Sequence, residues 1–159
     1  MPDIIFPNQS AFVPGRLSTD NVLIAYEMNH FMQNRRSGEE GYATLKLDVS
    51  KAYDRVEWQF MEKTMRKMDF HERWITIIMK CISTVTYRIK VNGGLTKQII
   101  PSRGLRQGDP LSPYLFLLCA EGFSALINDA EARGRIQGVS ICVGAPSITH
   151  LLFADCKIN

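Results

Sequence analysis

Long hydrophobic runs are missing from this sequence. The longest apolar stretch, Tyr114 to Ala120, is far shorter than the roughly 20 residues a membrane-spanning helix needs. Glycine and proline number only 11 and 7 residues, no excess of either, so a collagen-like fibre and a low-complexity linker are excluded. Hydrophobic residues make up 45% of the chain, which excludes an intrinsically disordered tail. Cysteines are few: Cys81, Cys119, Cys142 and Cys156 form no C-x-x-C pair, and His30, His71 and His150 stand singly. Neither a disulfide framework nor a zinc site can be assembled from them. Cys81 and Cys119 read as small core hydrophobes, a usage that suits a reducing, intracellular compartment, nucleus or cytoplasm. No basic-then-apolar leader opens the chain at Met1-Pro2-Asp3-Ile4. Charge of one sign is lacking too: 19 Lys and Arg against 16 Asp and Glu leave a net +3, which permits a nucleic-acid partner without arguing for one. What remains is a soluble globular protein of 159 residues, long enough to bury a core.

Helical and strand patterns alternate along the chain. Ser18, Thr19 and Asp20 are good caps for a helix reaching about Arg35, with Val22, Leu23, Tyr26 and Phe31 as its buried stripe. A polar loop, Asn34 to Gly41, precedes the alternating segment Tyr42 to Val49. There Ala43, Leu45, Leu47 and Val49 share one strand face, and Thr44, Lys46 and Asp48 the other. Two helices follow, one striped by Trp58, Met61, Met65 and Met68, the next by Trp74, Ile77, Ile78 and Cys81. Strands at Val85 to Val91 and Leu95 to Ile100 flank Asn92-Gly93-Gly94, the strongest hairpin signal in the chain. A loop, Ser102 to Asp109, leads to Ser112-Pro113, which opens a helix ending near Ala132 and stopped by Gly134. Ser147 to Phe153 is a short strand.

Chemistry concentrates in two carboxylates and one loop. Asp48 and Asp155 each close a predicted strand with an apolar lead-in, a costly place for a charge unless a cation neutralises it. If the two strands were neighbours, their hard oxygens could hold Mg²⁺, and a pair of such ions could activate a hydroxyl and stabilise a leaving pyrophosphate. Spacing leaves the simpler reading open, because an Asp after a strand is commonly a cap or turn residue. Asp54 is read as the cap of the helix beginning near Glu57. The loop Arg103-Gly104-Leu105-Arg106-Gln107-Gly108-Asp109-Pro110 has glycines that admit a close ligand, and Arg103 and Arg106 to meet phosphate. An ordinary basic turn before a helix has the same composition.

Four segments in order carry more. They are Gln9-Ser10-Ala11-Phe12-Val13-Pro14-Gly15-Arg16, Leu45-Lys46-Leu47-Asp48-Val49-Ser50-Lys51-Ala52-Tyr53-Asp54, Arg103-Gly104-Leu105-Arg106-Gln107-Gly108-Asp109-Pro110-Leu111-Ser112-Pro113 and Leu152-Phe153-Ala154-Asp155. Together they resemble the reverse transcriptase domain of non-LTR, LINE-type retrotransposons, of the sort found in plants. The resemblance implies an α+β fold, a right-hand polymerase palm and fingers fragment with a small antiparallel sheet packed on helices. Fingers would cover about 1–41 and palm about 42–159.

By the same resemblance, Asp48 and Asp155, with the backbone carbonyl of Val49, would bind the catalytic Mg²⁺ (or Mn²⁺). Tyr53 would lie under the incoming sugar and exclude a ribose 2′-hydroxyl. Gln107 and Gly108 would line the nucleotide pocket, and Arg16, Arg103 and Arg106 would contact the nucleic acid. The implied partners are an RNA template, a DNA primer and deoxynucleoside triphosphates, with no membrane. Where the family has F-A-D-D, this chain has Phe153-Ala154-Asp155-Cys156, and a neutral thiol is a poor ligand for Mg²⁺. Lys157-Ile158-Asn159 does not resemble the returning strand of the family hairpin. The family's upstream fingers motifs and its thumb have no counterpart in these residues. The expectation is a remnant inactive on its own, or a domesticated nucleic-acid-binding module that has dropped catalysis.

Overall fold

The computed structural model describes residues 5–34 and 41–152. Four helices and one small ladder appear in the order α1 (Ser18–Asn34), α2 (Trp58–Lys67), α3 (Glu72–Ser83), β1 (Lys90–Val91), β2 (Gly94–Leu95) and α4 (Ser112–Ala132). The chain divides into two compact units: Val49–Cys119 is one, and Met1–Asp48 with Ala120–Asn159 is the other.

The Val49–Cys119 unit has an apolar core. Met61 and Met65 of α2 are fully buried, and they cluster with Ile75 and Ile78 of α3, Val56, Leu105, Leu115 and Leu118. The methionine stripe predicted for α2 is therefore a core stripe. On α3 the inward row is Ile75, Ile78 and Ile82: Ile78 is buried as expected, while Trp74 and Ile77 are exposed. Cys81 is exposed as well, contrary to its reading as a core residue; Cys119 is buried, and burial pushes its thiol up to about 12. Both α2 and α4 close through the same pair of bonds. After α2, Phe70 N donates to Met65 O at 3.1 Å and Asp69 N to Arg66 O at 3.2 Å. After α4, Arg135 N donates to Ala130 O at 2.9 Å and Gly134 N to Glu131 O at 2.8 Å, so the helix stops where Gly134 predicted.

The hairpin forms around Asn92 and Gly93, both with positive φ (48° and 84°), the geometry of a two-residue turn matched to strand twist. Lys90 pairs with Leu95 and Val91 with Gly94, and Tyr87 bridges Ile99 further out. Between these pairings Lys97 and Gln98 stand opposite Arg88 alone, a bulge that confines the ladder to two residues per strand.

Three expectations fail by the same physics, the need of each element for a partner. Residues 42–49 form no strand; no ladder pairs them among the described residues, and Leu45, Leu47 and Val49 are exposed. An extended segment without a neighbour leaves its N–H and C=O groups to water. The small antiparallel sheet is accordingly the β1–β2 hairpin, and it does not carry Asp48. The segment from Ser147 is reduced to single bridges, Val139 to Ile148 and Gln9 to Leu152. On α1 the buried residues are Asn21 and Met28, while Val22, Leu23 and Tyr26 are exposed. The amide of Asn21 satisfies two backbone carbonyls, and a helix that turns Asn21 inward turns Val22 and Leu23 outward.

Caps differ in detail. Asp20 does reach back to Leu17 N at 3.4 Å, the reciprocal half of a capping box. Asp54 caps nothing: it lies in a 3-10 turn, Tyr53–Arg55, and Glu57 is the N-cap residue of α2. Ahead of α4 the side chain of Asp109 accepts from Leu111 N at 2.8 Å, so Asp109 shapes the entry and Ser112 is already helical. No helix among the described residues is long and apolar enough to cross a membrane.

Candidate functional site

Within the Val49–Cys119 unit, two segments far apart in sequence are locked edge to edge. Tyr53–Arg55 is tightened by Asp54 N donating to Lys51 O at 3.0 Å and Arg55 N to Ala52 O at 3.2 Å. Against it lies Arg103-Gly104-Leu105. Gly104 N donates to Val56 O and Leu105 N to Tyr53 O, both at 2.8 Å, and the Trp58 indole Nε1 donates to Gly104 O at 2.8 Å. Gly104 has φ +93°, and a Cβ there would stand 3.1 Å from Asp54 O and 3.2 Å from its Cα. Only glycine allows this approach.

Side chains reinforce the lock. Leu105 is buried in the core, and the Tyr53 ring stacks on Phe116 of α4 at 5.0 Å and 9°. An exposed ion pair joins Arg103 Nη1 to Glu57 Oε1 at 3.2 Å. Beside the lock opens a cleft of about 480 Å³, whose lining includes Arg103, Arg106, Gln107 and Asp109 together with Trp58 and Tyr87. Arg106 and Gln107 are exposed, and Arg106 has no ion-pair partner among the described residues. Cationic guanidinium groups beside an amide can take phosphate oxygens.

A profile of the family described as "Reverse transcriptase (RNA-dependent DNA polymerase)" matches residues 1–155. The chain belongs to the reverse transcriptase family. Among its relatives, an uncharacterised mitochondrial protein of Arabidopsis thaliana is 54% identical over 41% of this chain and 53% of its own length. An uncharacterised 149 kDa protein of transposon TX1 from Xenopus laevis is 35% identical over 87% of this chain and 10% of its own. A Pol polyprotein of the retrotransposable element R2 from Popillia japonica is 31% identical over 80% of this chain and 20% of its own. The chain thus spans between 10% and 53% of the length of these relatives.

The reverse transcriptase residues fall in different places. Tyr53, Arg103, Arg106, Gln107 and Gly108 belong to the Val49–Cys119 unit, as does Val49, while Asp48 and Arg16 belong to the other. Asp155 and Cys156 lie outside the described residues. Enzymes of this family use Mg²⁺. Asp48 is exposed and offers a single carboxylate, and no three metal-ligating side chains cluster among the described residues. These residues therefore do not complete a divalent-cation site.

Arg16 has an internal task. Its Nη1 donates to Phe6 O at 2.6 Å and Gln9 O at 2.7 Å, and its Nη2 to Ile5 O at 2.9 Å. From α4, Glu121 grips the same turn by accepting from Phe6 N at 2.9 Å. Burial raises the Glu121 carboxyl above the usual carboxylate range, opposed by the Phe6 N–H and by the charge of Arg16. A charged residue inside the apolar run Leu117 to Phe123 is a signal that could have marked Glu121 from the sequence. The stacking of Tyr53 on Phe116 and the grip of Arg16 on three carbonyls have no such signal.

Proposed function

We propose that this chain is the nucleotide- and template-binding part of a non-LTR RNA-directed DNA polymerase, with fingers at about 1–41 and palm at about 42–159. The reaction served in the whole polymerase is attack of a primer 3′-hydroxyl on the α-phosphate of a deoxynucleoside triphosphate, directed by an RNA template, and this chain by itself is inactive in it. The observation that carries this reading is the lock between the Tyr53 turn and the Gly104 loop. It holds an aromatic side chain suited to screening the sugar on the same rigid support as Gln107 and two arginines suited to phosphate. Tyr53 selects against a 2′-hydroxyl by bulk, Gln107 and Gly108 line the nucleotide site, and Arg103, Arg106 and Arg16 contact template or primer backbone. Asp48, Asp155 and the Val49 carbonyl would be the residues to hold Mg²⁺, which would supply charge stabilisation at the phosphates.

Cys156 favours a second reading. A thiol in place of the second hairpin carboxylate removes a hard ligand, so this chain binds primer–template without extending it. Fluorescence anisotropy with a labelled RNA–DNA duplex and primer extension with Mg²⁺ separate the two. Binding is expected, with log affinity falling linearly in log salt and the slope reduced by about one unit in Arg106→Ala. No incorporation above that of Asp48→Asn is expected. Incorporation that Asp48→Asn abolishes would replace the binding module with an active polymerase, and absence of salt-dependent binding would remove both.

A further inference from the structure

The peptide around Leu152 is held from both sides by residues near the start of the chain. Leu152 N donates to Asn8 O at 3.0 Å, and Leu152 bridges Gln9 in parallel register. The Asn21 side chain, only 3% exposed, closes the arrangement: its Nδ2 donates to Asn8 O at 2.9 Å and to Leu152 O at 3.1 Å. An amide nitrogen carries two hydrogens, and both are used here on carbonyls of different segments. Asn8 O accepts twice, from Asn21 and from Leu152, and Asn8 Nδ2 stands 3.5 Å from His150 Nε2. The turn that presents Asn8 is gripped by Arg16 and Glu121.

A single parallel bridge sets register weakly, because a slip of one residue exchanges the two faces of a strand. A buried side chain that must satisfy one carbonyl on each segment removes that freedom, since any slip leaves an acceptor unpaired. We propose that Asn21 is a positioning residue: its amide ties Asn8 to Leu152 and so fixes the register of the segment that leads, three residues on, to Asp155. The functional consequence rests on the polymerase reading above; the tie itself does not. Asp cannot replace Asn, because a carboxylate has no hydrogen to donate and would face two carbonyl oxygens. Ser retains one donor of the two.

The test is nuclear magnetic resonance on the full isotope-labelled chain. In the natural protein a scalar coupling across the hydrogen bond should join Leu152 N to the carbonyl carbon of Asn8. Asn21→Asp should abolish it and speed exchange of the Leu152 amide about ten-fold or more, with Asn21→Ser between the two and the Met61 and Met65 amides unchanged. Added Mn²⁺ should broaden the Leu152 resonance in the natural chain, and Asn21→Ser, which adds no carboxylate of its own, should need several-fold more of the ion for the same effect. Unchanged coupling and exchange in Asn21→Asp would overturn the proposal. So would equal acceleration of Leu152 and all α1 amides in both variants, the mark of mere helix support. If Mn²⁺ broadens nothing while the exchange pattern holds, the tie is upheld and the polymerase reading fails.

Discussion

The two units bury different chemistry. In Val49–Cys119 the interior is mostly carbon and sulfur: Met61, Met65, Ile75, Ile78, Leu105, Leu115 and Leu118 ask of their neighbours only volume and shape, and Thr64 and Ser112 are its buried polar residues among those described. In the other unit Ile5, Val13 and Met28 share the interior with Gln9, Ser10, Asn21, Glu121 and Ser124. Ser10 Oγ, Glu121 Oε1 and Ser124 Oγ have no hydrogen-bond partner among the described residues. Apolar contact is non-directional and scales with area, so the first kind of interior supplies stability. Hydrogen bonds buried in a low dielectric are costly when unmade, so the second kind distinguishes one arrangement from its near neighbours. The lock that carries Tyr53 and Gln107 is rooted in the first, and the tie on Leu152 in the second.

The sharpest blow to the apolar interior is Met65→Ala, which removes a fully buried side chain from between α2 and α3. It should cost about 2–5 kcal/mol, read by denaturant unfolding. A loss within surface-mutation scatter would mean that this core is plastic and the contrast between the units false. Gly104→Ala comes next, at about 1–3 kcal/mol, because a Cβ at φ +93° meets the Asp54 backbone. Loss of Trp58 burial, followed by fluorescence, should accompany it. An unshifted emission spectrum would separate the loop from the indole.

Glu121→Gln probes the polar interior through pH. The folded chain holds the Glu121 proton to a higher pH than the unfolded chain does, so it binds more protons between the ordinary carboxylate value and the raised one. Stability from this group is full below the ordinary value and is lost as pH rises through the raised one. Gln keeps the acceptor for Phe6 N–H and has no proton to lose, so the slope in that window should flatten. An unchanged slope would show the carboxylate to be solvated. Tyr26→Ser, on the exposed face of α1, should change stability by less than about 0.5 kcal/mol. A larger loss would mean that this face is covered in solution.

Legibility followed the range of the interactions. The β1–β2 turn was readable because Asn92-Gly93 has a local backbone preference, and the end of α4 because a C-terminal glycine acts within one turn. The α2 stripe was readable because four methionine and tryptophan positions repeat at helical spacing. The segment 42–49 misled because alternation records a capacity to pair, and pairing depends on a neighbour the pattern does not contain. The stripe expected at Val22, Leu23 and Tyr26 misled in the opposite sense: the buried face belongs to Asn21, whose two acceptors come from Asn8 and Leu152.

The site was legible as a set of motifs and not as an arrangement. Four ordered segments place the chain in the reverse transcriptase family, since that inference needs only residue identity and order. That Gly104 docks on the Tyr53 turn, that Tyr53 lies on Phe116 and that Arg16 serves three carbonyls were decided by tertiary structure. Each depends on atoms brought together from distant parts of the chain. Local propensity is written one residue at a time, whereas a buried donor is satisfied only by whichever acceptor the finished fold delivers to it.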